Sequence, residues 1–288
     1  MSDTVAPEGL RRGLYRFRQS SLSVVGAGIV LALLLVALIG PALVPHPDHV
    51  QGAVLPAARF QPPSAGAWFG TNELGQDVFS LTVAAARVSL LAGLAVVLLG
   101  TLMGTAIGGI AGFAGGWVDE ALMRFTDLML TIPSLILAMA IAAALGPGLA
   151  NMVVAIALSW WPGYARLVRG EVIARKEETY VLAARALGAS PARLLLRHVL
   201  PNTVSPVIVK MSLDMGFAIL TVAALGFIGI GVRPPTPEWG MMLSNARNYM
   251  PDVWWPAIFP GLAIYLAVYG FNLLGDGLRD VLDPKARR

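Results

Sequence analysis

No cysteine occurs in the chain, which excludes disulfides, thiolate metal sites and a cysteine nucleophile. Charge is scarce as well. Only 13% of the 288 residues are Asp, Glu, Lys or Arg, against about 25% in a typical soluble domain. No Gly-x-x-x-x-Gly-Lys-Ser/Thr loop is present, so the chain does not cradle ATP phosphates by that device. What is plentiful is apolar: 56% of the residues are hydrophobic, which marks an integral membrane protein. The net charge of +4 would suit nucleic acid. In a membrane protein, basic residues held on the cytoplasmic side are the plainer cause, so the expected surroundings are membrane lipid and not nucleic acid.

The apolar runs order the chain. Residues 1–21 form a tail in which Arg11, Arg12, Arg16 and Arg18 alternate with Leu10, Leu14, Tyr15 and Phe17. Two readings stand: a short basic amphipathic helix on the anionic inner leaflet, or a solvated tail that only fixes orientation. Residues 22–44 are long enough, as a helix, to cross a hydrocarbon core of about 30 Å. They are too long for a signal-peptide core and are expected to be a retained first span. Further spans are expected over 87–112, 128–145, 149–165, 207–230 and 256–278. The result is an all-α membrane protein of about six transmembrane helices, one domain over 22–288.

Within the second run, Gly100, Gly104, Gly108 and Gly112 recur at four-residue spacing, which lets another helix approach closely. Gly146-Pro147-Gly148 reads as a tight turn. The proline-rich stretch 45–86 and the stretch 231–255 read as extramembrane loops, and 113–127 as a short polar connector. An even number of spans puts both termini on one side. Of the 21 lysines and arginines, 17 fall in the two tails, the connector, the stretch 166–206 and the start of the fifth run; the other side holds Arg59, Arg87, Arg233 and Arg247. That asymmetry places the termini and residues 166–206 in the cytoplasm.

Residues 166–206 are a polar, basic, helix-forming island. Tyr180, Ala183, Ala184 and Leu187 follow i, i+3, i+4, i+7 spacing and share a helix face, with Glu178, Leu182 and Arg185 opposite. Gly188 is the expected left-handed stop. Ser190-Pro191 restarts a helix as N-cap and first-turn proline, and Pro201 ends it. The small face at Ala183 and Ala184 suits docking into a groove. Arg166 and Arg169 read as positive-inside anchors. Arg185 and Arg193, beside the glycine, are either partner contacts or a solvated face.

Here the sequence resembles a family. Ala183-Ala184-x-x-x-Gly188 followed by Leu200-Pro201 is similar to the cytoplasmic "EAA" loop of ABC importer permeases. Leu182 stands where that pattern has Glu, and His198 where it has an apolar residue. Phe69-Gly70-Thr71-Asn72-Glu73-Leu74-Gly75-Gln76-Asp77 resembles the "LGTDxLGRD" segment of C-type permeases of the dipeptide/oligopeptide/nickel group, with Gln76 in place of Arg. Arg233-Pro234-Pro235-Thr236-Pro237-Glu238-Trp239-Gly240 resembles that group's "QPPTPEWG". Phe271-Asn272-Leu273-Leu274-Gly275-Asp276-Gly277-Leu278-Arg279-Asp280 resembles its "FNLxGDGLRD" ending.

The resemblance implies a type I importer fold in the bacterial inner membrane and half of a translocation pore for di- or oligopeptides. The alternative cargo is nickel or another small solute. It implies four kinds of neighbour: a second homologous permease chain, two ATPase subunits that bind ATP and Mg, an extracytoplasmic substrate-binding protein, and lipid. The ATPase-coupling residues would be Tyr180, Ala183, Ala184, Arg185, Leu187, Gly188, Arg193, Leu200 and Pro201. Trp68, Glu238 and Trp239 would meet the binding protein. This chain would bind no cofactor or metal and catalyse nothing itself.

Two other classes compete. An ion-coupled secondary transporter buries ionisable groups at mid-membrane. Asp214 is the one acid well inside an apolar run, and its spacing from Lys210 suits an i, i+4 ion pair. An intramembrane metalloenzyme needs clustered ligands, and only His46 and His49, in the proline-rich loop, lie near each other in sequence.

Overall fold

The computed structural model describes residue 17 and residues 20–282, and no β-strand occurs among them. The basic tail Arg11, Arg12, Arg16 and Arg18 lies outside the described residues. Helix α1, Ser21–Leu43, starts at Ser20, whose side chain accepts a hydrogen bond from the Ser23 amide. A single turn, α2 (Pro47–Val50), follows. Helix α3 spans Val78–Ala114 and so begins well before the expected 87. Asp77 explains the early start: its Oδ2 accepts from the Ser80 amide at 2.9 Å and the Ser80 hydroxyl at 2.5 Å, satisfying donors that a helix start leaves free.

The expected polar connector 113–127 is instead mostly helix α4, Gly116–Thr131. It bends by 91° at Ile132-Pro133 into α5, Ser134–Leu145, because proline disfavours helical backbone in the residue before it. Helix α6 runs Leu149–Lys176, and α7 covers Thr179–Ala186. A helical stretch then continues from Pro191 to Ile228, and its regular part, α8, is Val204–Ile228. Helix α9 is Trp239–Ala246 and α10 is Trp255–Leu282.

Four of these helices (α1, α3, the Pro191–Ile228 stretch and α10) are long and apolar enough to cross a membrane, and the bent α4–α5 pair makes a fifth if counted as one. The fourth expected run, 149–165, is the first part of α6. There the apolar sequence is broken by Ser159-Trp160-Trp161-Pro162-Gly163-Tyr164. Trp161 and Tyr164 are buried inside the protein, so this helix need not be uniformly apolar.

The chain resolves into two compact units. One comprises residues up to Leu94, Pro147–Leu149 and Ser212 onward; the other comprises Ala95–Gly146 and Ala150–Met211. In the first, α1 packs along α10, where Gly26 lies under Leu273. Phe69 stacks on Phe259 at 3.8 Å between ring centres. In the second, the glycine stripe of α3 seats α6: a Cβ on Gly104 or Gly108 would overlap Tyr164 or the Ala165 carbonyl. Helices this close gain dispersion contacts that larger side chains would prevent.

Candidate functional site

The island is built outward from α6. Val168 and Val172 on that helix form a buried cluster with Val181, Leu194, Val199 and Val207, and Ala184, Ala189, Leu195 and Leu200 pack against it. Helix α7 therefore turns Val181 inward. The expected docking face is split by this packing. Ala184 is half-buried against the cluster, whereas Tyr180, Ala183 and Leu187 are exposed. Leu187 reaches 89% exposure, unusual for an aliphatic side chain in an ordered turn. Leu182, at the position where the pattern has Glu, is also exposed.

Gly188 closes α7 in the left-handed region, φ +84°. Its amide donates to the Arg185 carbonyl at 3.0 Å, and the Ala189 amide donates to the Ala184 carbonyl at 3.1 Å. This pair of bonds is a Schellman cap. Ser190 then caps the next helix, accepting from the Arg193 amide at 3.4 Å, with Pro191 in the first turn. Both local expectations hold. Arg185 and Arg193 flank the elbow, exposed and without an ion-pair partner among the described residues.

Pro201 does not end this second helix. The chain widens into a π-turn over Leu194–Val199, tightens to a 3₁₀ turn over Leu200–Thr203, and resumes as α8. Proline lacks an amide and crowds the carbonyl four residues back. The π-turn sets the Leu200 amide on the Leu195 carbonyl instead. The His198 carbonyl accepts from the Asn202 side chain at 2.6 Å and the Tyr180 hydroxyl at 3.3 Å. Tyr180 thus ties α7 to the second arm. Leu200 is half-buried on the cluster and Pro201 is exposed.

Of the three residues expected at the loop surface, only Trp68 is exposed. Glu238 and Trp239 are 0% and 1% exposed, which corrects the expectation for both. Glu238 caps α9: its Oε1 accepts from the Gly240 amide and its Oε2 from the Met241 amide, each at 2.9 Å, and Ser89 donates to Oε1 at 3.3 Å. Burial pushes its carboxyl above the usual glutamate range, opposed by those backbone donors. The Trp239 indole donates to the Thr82 carbonyl at 3.0 Å. The clue in the sequence was an acid directly before a short helix.

The Asn72–Asp77 segment is also architectural. Asn72 Oδ1 accepts from the amides of Leu74 and Gln76. The Gln76 amide group bonds Asn72 and the carbonyls of His49 and Ala53. Nearby, His46, Asp48 and His49 offer ligand atoms within 4.8 Å of one another. However, His49 Nδ1 accepts the Asp77 amide at 3.0 Å, so in the neutral ring Nε2 carries the proton and has no lone pair for a metal.

Sequence reasoning missed a set of ties between α6 and its neighbours. Arg169 forms a two-pronged ion pair with Asp119 on α4, at 2.5 and 2.7 Å. Arg166 pairs with Asp127 at 2.7 Å, and Lys176 donates to the Gly112 carbonyl at 2.9 Å. Arg166 and Arg169 had read as plain anchors because their partners lie 39 and 50 residues away.

Comparison with known proteins agrees with the motifs. Residues 104–288 match the family described as binding-protein-dependent transport system inner membrane component, and residues 10–63 match the N-terminal transmembrane domain of oligopeptide transport permease C. The probable D,D-dipeptide transport system permease protein of Escherichia coli K12 is 47% identical over 95% of this chain and 91% of its own length. The dipeptide transport system permease protein of Alkalihalophilus pseudofirmus is 43% identical over 96% of this chain and 90% of its own length. The glutathione transport system permease protein of Pectobacterium atrosepticum is 42% identical over 94% of this chain and 90% of its own length. A solved chain of the MetNI methionine ABC transporter superposes with TM-score 0.57 at 17% identity, over 70% of this chain and 96% of that one, so the fold is shared.

Proposed function

The chain belongs to the binding-protein-dependent transport system inner membrane component family, and from that premise we propose that it forms half of the pore of an ATP-driven peptide importer. It is a multi-pass inner-membrane permease of type I importer fold. The peptide cargo is inferred from relatives named for dipeptide, D,D-dipeptide and glutathione transport. The second half of the pore would be a homologous permease. Two cytoplasmic ATPase subunits would bind ATP and Mg, and an extracytoplasmic binding protein would deliver the peptide. The basic-residue asymmetry supports a cytoplasmic side for the termini and the elbow.

The observation that carries this reading is the elbow itself. A Schellman cap fixes its shape, Val181 anchors it to α6, and Leu187 projects at 89% exposure. An apolar knob on a fixed scaffold suits a groove on a soluble partner. In this mechanism the ATPase pair closes around ATP and shifts the elbow. The cluster on Val168 and Val172 passes that shift to α6. The chain supplies no group to the hydrolysis step; its part is to convert subunit closure into a rigid-body change.

The test is uptake of a labelled dipeptide by vesicles holding the permease pair, its ATPases and the binding protein. ATP-dependent uptake that needs the binding protein is expected. Uptake driven by an ion gradient without ATPase association would overturn the proposal.

A further inference from the structure

We infer that Asp119 and Arg169, together with Lys176 on the carbonyl of Gly112, are positioning residues that bind the elbow, α6, the end of α3 and the start of α4 into one moving body. This rests on the importer reading above.

Among the described residues, Arg169 and Asp119 are 37% and 16% exposed, close to the 31% and 29% of the Arg175–Glu171 pair inside α6, whereas Arg124–Glu120 shows 76% and 63%, and Arg166–Asp127 56% and 57%. Of the two shielded pairs, Asp119–Arg169 is the one that joins two helices, with a separate guanidinium nitrogen on each carboxylate oxygen. Exposed pairs contribute little. A shielded, two-pronged guanidinium–carboxylate contact is both stronger and fixed in direction. Asp119 also sits in the first turn of α4, where the helix end favours an acid.

Lys176 works at the opposite pole of the helix dipole. It is in the last turn of α6, and its ammonium reaches the Gly112 carbonyl in the last turn of α3. That carbonyl has no helical partner of its own, and a cation at this pole is favoured. Close by, Gly112 lets the α6 backbone approach: a Cβ there would lie 2.8 Å from the Arg169 carbonyl and 3.1 Å from Val172.

One face of α6 serves both sets of contacts. Arg169, Val172 and Lys176 follow i, i+3, i+7 spacing and meet α4 and α3. Val168, four residues before Val172, borders them, and the two valines hold α7 through Val181. A push on the elbow is therefore received by a helix already bound to two neighbours. On this account Arg169 is an internal strut, and its positive charge alone does not explain it.

Because the chain has no cysteine, the strut can be replaced by a covalent one. The experiment uses the assembled transporter carrying Asp119→Cys and Arg169→Cys, before and after a short bis-methanethiosulfonate reagent, with reductant to reverse it. Before cross-linking, we expect normal membrane amounts, retained ATPase co-purification and uptake reduced about ten-fold, with ATP hydrolysis no longer stimulated by substrate. Cross-linking should restore uptake, and reductant should abolish it again. Unchanged uptake in the double variant, or no recovery on cross-linking, overturns the inference.

Should the double variant fail to accumulate, Arg169→Lys keeps the charge but loses the fork. A several-fold loss of uptake at normal abundance supports the strut, and full uptake overturns it. If the importer reading itself were wrong, the wild-type protein would already lack ATP-dependent uptake and ATPase co-purification.

Discussion

Gly226 and Glu238 interlock: the carboxylate Oε2 of Glu238 fills the space that a side chain at 226 would need. Gly226→Ala should therefore displace the cap of α9 and cost about 1–3 kcal/mol, the usual range for overpacking. A lowered thermal midpoint of the purified protein would show it. An unchanged midpoint would mean that the cap relaxes freely.

The same carboxyl gives a pH dependence. Its pKa is raised in the folded state, so between the ordinary glutamate value of 4.5 and the raised one the native protein binds more protons than the unfolded chain. Stability contributed by this group is full below the ordinary value and declines as pH rises through that window. Glu238→Gln should remove this slope from thermal midpoints measured across acidic to neutral pH. An identical slope in the variant would assign it to other groups.

Leu187 and Gly188 separate docking from folding. Leu187→Asp changes an exposed side chain, and stability should stay within about 0.5 kcal/mol, while ATPase co-purification is lost. Gly188→Val forces a β-branched residue into the left-handed region at about 1–2 kcal/mol. It should leave insertion intact but uncouple hydrolysis from uptake. Retained ATPase binding by the first variant, or coupled transport by the second, would count against the elbow as the contact.

Asp214 tests the rival transporter class. Asp214→Asn should leave uptake within about two-fold: its i, i+4 spacing from Lys210 suits an ion pair, and such a pair would contribute only a few tenths of a kcal/mol. A correctly assembled but dead Asn variant would point to a proton relay instead.

What the sequence made legible was local chemistry. Gly188 needed only its own backbone freedom, and Ser190-Pro191 only a hydroxyl and a ring. The glycine stripe of α3 announced close packing, although its partner α6 did not announce itself. What remained hidden depends on distant partners. Val181 turns inward because Val168 and Val172 wait there, which splits a face that periodicity alone draws as continuous. Glu238 and Trp239 read as loop residues, yet their partners Ser89 and Thr82 lie 149 and 157 residues away. Pro201 read as a stop because a π-turn that absorbs it leaves no mark in propensity.

That π-turn has a consequence for how the chain tolerates changes in length. A π-turn holds one residue more than an α-turn would, so Leu194–Val199 carries a surplus position within an otherwise continuous helical stretch. Because the π-turn takes up that residue within one turn, deleting one residue there would favour plain α-geometry and leave the elbow close to its present azimuth relative to the start of α8. A deletion in the regular turns at the start of α8 would instead rotate the elbow by about 100° and carry Leu187 with it. Length changes are therefore absorbed at the π-turn and misdirect the knob when they fall just beyond it.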